Sequence, residues 1–425
     1  MRVNSLGLWY CSKAKLYLRE AEEYFRQFRF SESIQSFQEC IEFAAKAICE
    51  LLGKDYGKKH DISQELEELA KTADAYRKEL SRLALVSSRW VGMKQRARML
   101  MKYGNQDAKV PATDFVTRRD VELIRADANE ACNLLNRIEL REKFKYPIKI
   151  GILNGYVEKD DSSEKPCNYY SYTEFKSIDI WAEFFAQITA NGNRKYDVEE
   201  ISISEISNEF AVIINPFGEV YPEKDFKRKL CFNIIKNYIG DGGIFVNVAG
   251  FPFFYGWDVV NGKSVALIEE KLMVPETIRV ELDKLGGKVK RAIIEQFKTV
   301  LLFSGSLFWR EFDAVTTSDT PVHSGPFLLD IYQKDEDRQK VGDLVNIGKD
   351  SKIWEFRAVT ERTKNLIPLL RARRPEFGEV YPIAAIKYGW GYLIVGGMHL
   401  KSENEFERLA AAVDRFCEWV ARSTQ

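Results

Sequence analysis

Net charge is the first thing this chain lacks. Its 63 Lys and Arg balance 63 Asp and Glu over 425 residues. No global field therefore draws it onto nucleic acid or an anionic membrane, and any such attraction must come from a local basic face. Histidine is scarce: His60, His323 and His399 are the three present. They lie far apart and in no metal-ligand spacing, so neither a metal site nor a cofactor is expected. The seven cysteines are scattered, with no Cys-x-x-Cys pair, which is the usage of reduced core thiols in a cytoplasmic protein. No apolar run is long enough to span a bilayer, and charges enter the N-terminal stretch too early for a secretory signal. Gly-x-Ser-x-Gly, the turn that presents a hydrolase serine, is also missing. What is there is 45% hydrophobic and 30% charged residues, in a chain long enough for two or three domains.

Up to about Arg141 the residues read as helices. Ile34, Phe37, Ile41, Ala44, Ala45, Ile48, Leu51 and Leu52 draw one apolar stripe between Ser31 and Gly53, with Ser31 as the expected cap and Gly53 as the expected stop. Leu18, Ala21, Tyr24, Phe25 and Phe28 repeat the pattern upstream. Asp61 opens a further helix through Leu66 and Leu69, and more follow over about 76–86, 89–102 and 118–139. Short connections make this an antiparallel bundle.

SESIQSFQECIEFAAKAICELLG followed by KKHDI resembles the HEPN domains, small helical bundles of prokaryotes named for nucleotide binding and including many RNases. The resemblance covers about Ser5 to Leu140. It rests on Gln38–Glu39, Ala45–Ala47, His60–Asp61 and Tyr103–Gly104. It implies a homodimer formed through the helical domain, and contact with nucleotide, RNA or a partner. Catalytic members carry an Arg followed closely by His on a late helix, whereas here that region is RWVGMKQRARMLMKYGNQ, without His. The candidate nucleic-acid contacts are His60, Lys94, Arg96, Arg98 and Lys102. The plainer readings are a structural imidazole at a helix start and a solvated basic helix face.

From Tyr146 the period changes. YPIKIGILN, EFAVIINPFGE and IFVNVAG are apolar strands, a further strand lies near Tyr196–Ile201, and helices near 175–190 and in KDFKRKLCFNIIKNYIGDGG alternate with them. Such alternation implies a doubly wound, mostly parallel sheet covered on both faces. Residues 1–143 are expected to form the bundle and 144–425 the α/β domain, with an irregular insertion at about 255–355. TVLLFSGSLF inside that insertion reads as a strand. YPIAAIKYGWGYLIVGGMHL reads as a hairpin turning at Tyr388–Gly391, and Glu403–Arg422 as a closing helix.

Ligands of such sheets bind beyond the carboxyl ends of the strands. That rule selects Asn154 after the first strand, Asn215, Glu219 and Tyr221 after the third, and Ala249 and Gly250 after the fourth. Glu219 suits a ribose or sugar hydroxyl or, if buried, a general base; its plainer reading is an exposed loop carboxylate. Gly242 and Gly243 suit a helix stop better than a phosphate cradle. The aromatic run Phe251, Phe253, Phe254, Tyr255 and Trp257 suits core better than a stacking platform.

INPFGEVYPE, the GGIFVNVAGFP elbow and the terminal YGWGYLIVGG hairpin followed by His399 resemble the class I glutamine amidotransferase-like fold in its broad, ThuA-like sense. In active amidotransferases the elbow bears Cys and a late His activates it. Here Ala249 or its neighbour stands at the Cys position, so thiol catalysis is not expected. Three readings follow. The first is a regulatory protein whose α/β domain binds a small polar ligand, a nucleotide or sugar derivative. The second is an RNase effector of a toxin or defence system with a non-standard site, His60 with Arg96 or Arg98. The third is a hydrolase using Glu219 and His399 with an activated water.

Overall fold

The structure is a computed structural model. It describes residues 5–92, 109, 111, 116–154, 173, 175, 177–190, 192–218, 220–222, 229–250, 252–253, 255–258, 263–266, 311–314, 327–332, 352–355, 358–374, 378–397, 400 and 402–423. The chain divides into two compact units, Met1–Lys145 with Ala421–Gln425, and Tyr146–Val420.

The first unit is helical. It contains α1 (Ser5–Arg26), α2 (Phe30–Leu51), α3 (Ser63–Thr72), α4 (Arg77–Trp90) and α5 (Arg118–Lys143). Ile34, Phe37, Ile41, Ala44, Ala45 and Ile48 of α2 are all fully buried, so the three-and-four spacing becomes a core stripe. Ser31 is not the cap: α2 begins at Phe30, with Arg29 at the cap position, and the Ser31 hydroxyl is buried without a hydrogen-bond partner among the described residues. Gly53 does stop it. With φ +71° it lets Gly53 N–H reach Glu50 O and Lys54 N–H reach Cys49 O, a left-handed ending that favours glycine. At the head of α5, the Asp120 carboxylate accepts the Thr117 N–H at 2.9 Å, while the Thr117 hydroxyl accepts the Asp120 N–H. This reciprocal cap holds Asp120 below its usual carboxylate range. The helix read over 89–102 lies, beyond residue 92, outside the described residues.

The second unit is built on one large mixed sheet. Its strands are β1 (Ile148–Leu153), β2 (Tyr196–Ile201), β3 (Val212–Asn215), β4 (Ile244–Asn247), β5 (Phe327–Tyr332), β6 (Lys352–Glu355), β7 (Leu366–Arg374), β8 (Gly378–Tyr388) and β9 (Gly391–Gly396). The order is β6-β5-β7-β8-β9-β4-β3-β1-β2, with Val359–Thr360 paired to β8. From β9 to β2 every neighbour is parallel; from β9 to β6 every neighbour is antiparallel. The sheet is therefore doubly wound only in its first half. The stretch read as an irregular insertion contributes β5 and β6 to the antiparallel extension, while Tyr255–Asp258 and Lys263–Ala266 join Val220–Pro222 in a separate three-stranded sheet. TVLLFSGSLF falls outside the described residues.

Among the described residues three helices accompany the parallel half: α6 (Ile178–Gln187), α7 (Leu230–Gly240) and α8 (Glu403–Ser423). Strand alternation gives each face its own helix. Ile213, Phe245, Leu393 and Val395 join Phe232, Ile235 and Ile239 of α7 in one buried cluster. Tyr392 points the other way, onto Phe416 and Trp419 of α8. Polar contacts also fasten α8. Lys195, just before β2, is 2% exposed and reaches Asp414 at 2.6 Å and Glu418 at 2.8 Å, and Tyr196 donates to Asp414 at 2.5 Å. Burial alone would lower Lys195, but the two carboxylates outweigh it and hold its proton above 10.5.

Candidate functional site

The carboxyl edge of the parallel strands is built largely from asparagine. Asn215 ends β3, is fully buried, and donates from Nδ2 to Gly218 O at 3.0 Å and to Val220 O at 3.2 Å, while its Oδ1 accepts the Phe217 N–H at 3.2 Å. Asn247 ends β4 and donates to Ala249 O at 3.0 Å, and its Oδ1 accepts the Tyr221 hydroxyl. These amides shape the two strand-end loops, and the loops meet: Gly218, at φ +65°, passes so close to the elbow that a Cβ there would stand 2.7 Å from Ala249 O.

Of the residues that sequence picks out, Asn154, Asn215, Tyr221, Ala249 and Gly250 thus gather at one end of the sheet, all buried. Tyr221 lies inside, its ring stacked on Phe253 at 4.9 Å, and Phe253 packs on Phe232 and Phe312. That part of the aromatic run is core. Gly242 and Gly243 close α7 through hydrogen bonds to Ile239 O and Tyr238 O. Glu219, His399 and His323 lie outside the described residues.

In the helical unit, His60 meets a partner eighteen residues earlier. Its Nδ1 is 2.8 Å from Oε1 of Glu42, a carboxylate with a 5%-exposed side chain, while the imidazole is 70% exposed. Lys46 reaches the same oxygen at 2.7 Å. A carboxylate acceptor fixes the tautomer with the proton on Nδ1 and leaves Nε2 to solvent. Lys46 also lies 5.9 Å from the Phe43 ring centroid. Phe43 stacks on Tyr17 at 5.5 Å and touches half-exposed Trp9, over which Lys13 lies at 5.5 Å. Glu42 and Lys46, largely covered themselves, thus link the exposed His60 to the aromatic group of Phe43, Tyr17 and Trp9. Lys94, Arg96, Arg98 and Lys102 lie outside the described residues.

Sequence reasoning missed a cleft of about 340 Å³ between α4 and α5, floored by Leu83, Val86 and Leu134. Arg82 at its rim reaches Asp127 at 3.2 Å, and Trp90 donates to Asp127 at 2.7 Å. Arg137 reaches Glu79 at 2.8 Å. Each guanidinium already faces a carboxylate, so an anion entering the cleft must compete for it. Among the described residues no group of three or more His, Cys, Asp or Glu is placed to hold a metal ion. None of the described helices is long and apolar enough to cross a membrane.

Residues 8–138 match the HEPN domain. The HEPN domain thus accounts for the helical unit, in agreement with the resemblance carried by its motifs. No curated protein matches the chain. Similar solved structures include beta-galactosidase from Bacillus circulans sp. alkalophilus, at 10% identity and TM-score 0.33, over 91% of this chain and 57% of that one. They also include the exo-beta-1,4-mannosidase Op5Man5 from Opitutaceae bacterium strain TAV5, at 11% identity and TM-score 0.29, over 92% of this chain and 55% of that one. The chain spans little more than half the length of either enzyme. At these scores neither likeness supports a fold or an activity here, and neither supports the amidotransferase-like resemblance of the second unit.

Proposed function

We propose that this chain is a regulatory binding protein of two domains. The HEPN domain contacts nucleotide or RNA and pairs with a second copy of itself. The α/β unit, a flavodoxin- or amidotransferase-like sheet of a cytoplasmic protein, holds a small polar ligand such as a nucleotide or sugar derivative. The observation that carries this reading is the elbow after β4. Ala249 stands there fully buried, beside asparagines tied into loop backbone, at the strand ends where an amidotransferase would hold its thiol. A parallel order of second, first, third, fourth and last strand is that of flavodoxin-like sheets and supports the finer fold assignment. The full-length protein titrated into labelled single-stranded RNA tests the helical half. An anisotropy rise that weakens with added salt is expected; no rise at low salt overturns it.

One observation favours a second reading, the RNase effector. Glu42 holds Nδ1 of His60 and leaves Nε2 toward solvent, the arrangement of a general acid–base imidazole. On that reading His60→Ala lowers cleavage of total RNA by about a hundred- to ten-thousand-fold. Cleavage that survives the substitution removes His60 from the mechanism.

A further inference from the structure

Arg408 lies in the second turn of α8. It is 8% exposed, and its Nε is buried without a hydrogen-bond partner among the described residues. Arg371, equally buried in the same unit, makes the contrast: its Nη1 donates to Glu379 at 2.6 Å and to the Tyr381 hydroxyl at 3.3 Å. Glu405, one turn before Arg408, turns its Oε2 to the Ser402 N–H at 3.0 Å, within the cap of α8. Burial pushes the Arg408 guanidinium below its usual value, and the field of Glu405 restores only part of this. A guanidinium does not escape burial by losing its proton. A guanidinium whose stem is buried and whose Nε meets no acceptor among the described residues is suited to an anion that Nε and a neighbouring N–H can share.

The position is as informative as the burial. Farther along α8, Phe416 packs on Tyr392 at the start of β9, and Asp414 and Glu418 meet Lys195 and Tyr196 at the start of β2. Arg408 is two helical turns back from Phe416, roughly 12 Å at the α-helical rise. That brings it level with the carboxyl end of β9, a strand that rises about 3.3 Å per residue. Phe406, beside it, packs on Phe175 and Trp181. This is the edge where doubly wound sheets take their ligands.

We propose that Arg408 is the counter-charge of an oxyanion-binding site at the carboxyl edge of the parallel half-sheet, taking a small molecule that bears a phosphate or a carboxylate. This rests on the ligand-binding reading of the α/β unit and adds the ligand's charge. The planar fork of the guanidinium suits bidentate contact with either group.

Thermal unfolding of the full-length protein tests the site. Wild type, Arg408→Met and Arg408→Lys are titrated with inorganic phosphate and, separately, with acetate, against sodium chloride at matched ionic strength. One of the two anions is expected to raise the wild-type Tm with the logarithm of its concentration; which one does so distinguishes a phosphate ligand from a carboxylate ligand. Arg408→Met loses the shift and, without anion, unfolds near wild type, because it keeps the apolar stem. Arg408→Lys keeps part of the shift. An equal shift in Arg408→Met, or no anion effect beyond salt in wild type, overturns the proposal. A neutral sugar or nucleoside that stabilises wild type while neither anion does would overturn the oxyanion site and leave the wider ligand-binding reading intact.

Discussion

Glu139→Ala is expected to cost about 3–5 kcal/mol, a large part of a typical domain's stability. Glu139 is 1% exposed and sits between two buried ammonium groups, Lys15 at 2.5 Å and Lys143 at 2.7 Å, themselves 0% and 1% exposed. Removing the carboxylate leaves two cations facing each other inside the helical core, where neither is solvated. Urea denaturation followed by far-UV circular dichroism measures the loss. A triple replacement, Lys15→Met with Glu139→Leu and Lys143→Met, should recover most of it, because the damage is the uncompensated charge and not lost packing. The sign of the pH dependence follows. Burial alone would raise the Glu139 carboxyl, but Lys143 and Lys15 outweigh it and hold the group below 4.5. Its contribution is complete above 4.5 and is lost as pH falls through the lower folded value. Glu139→Gln should therefore flatten part of the acid limb of the stability curve.

Gly391→Ala is the second large effect, expected at about 1–3 kcal/mol or more. A Cβ at Gly391 would lie 2.2 Å from Gly243 O and 2.3 Å from Ile239 O. Both obstacles are backbone, so neither can swing aside. The same contact carries hydrogen bonds from Trp390 N–H to Gly240 O and from Tyr392 N–H to Gly243 O, which tie the start of β9 to the end of α7. Gly378→Ala is the control: a Cβ there meets nothing within 4 Å, and only its φ of +73° opposes the change, at about 1 kcal/mol. Tryptophan-fluorescence melts should place the control much nearer wild type.

The helices and the parallel strands were legible because their patterns are local. The stripe from Ile34 to Ile48 and the unbroken apolar runs of β1, β3 and β4 state their own burial. Gly53 could be read as a stop because few other residues take that backbone. Ser31 misled because a hydroxyl near a helix start reads as a cap, whereas the cap position falls two residues earlier, at Arg29. The antiparallel extension was not legible: β5 joins the sheet through β7, farther along the chain, and β6 joins it only through β5. At the site, sequence placed its candidates at the carboxyl ends of the parallel strands and read Asn215 and Tyr221 as facing a ligand. In the structure Asn215 bonds to its own loop and Tyr221 to Asn247, geometry that depends on how two loops meet. The pairing of His60 with Glu42 depends on the return of the chain after Gly53. Arg408 sits at the margin of an apolar stripe, where an arginine ordinarily reads as solvated.

The central claim is that the α/β unit binds a ligand rather than turning one over. Thermal unfolding of the full-length protein across a panel of nucleotides and sugar derivatives, with consumption of each compound followed in parallel, tests it most directly. The account predicts that at least one compound raises Tm and is recovered unchanged. Turnover of a compound together with no Tm shift from any member of the panel would contradict it.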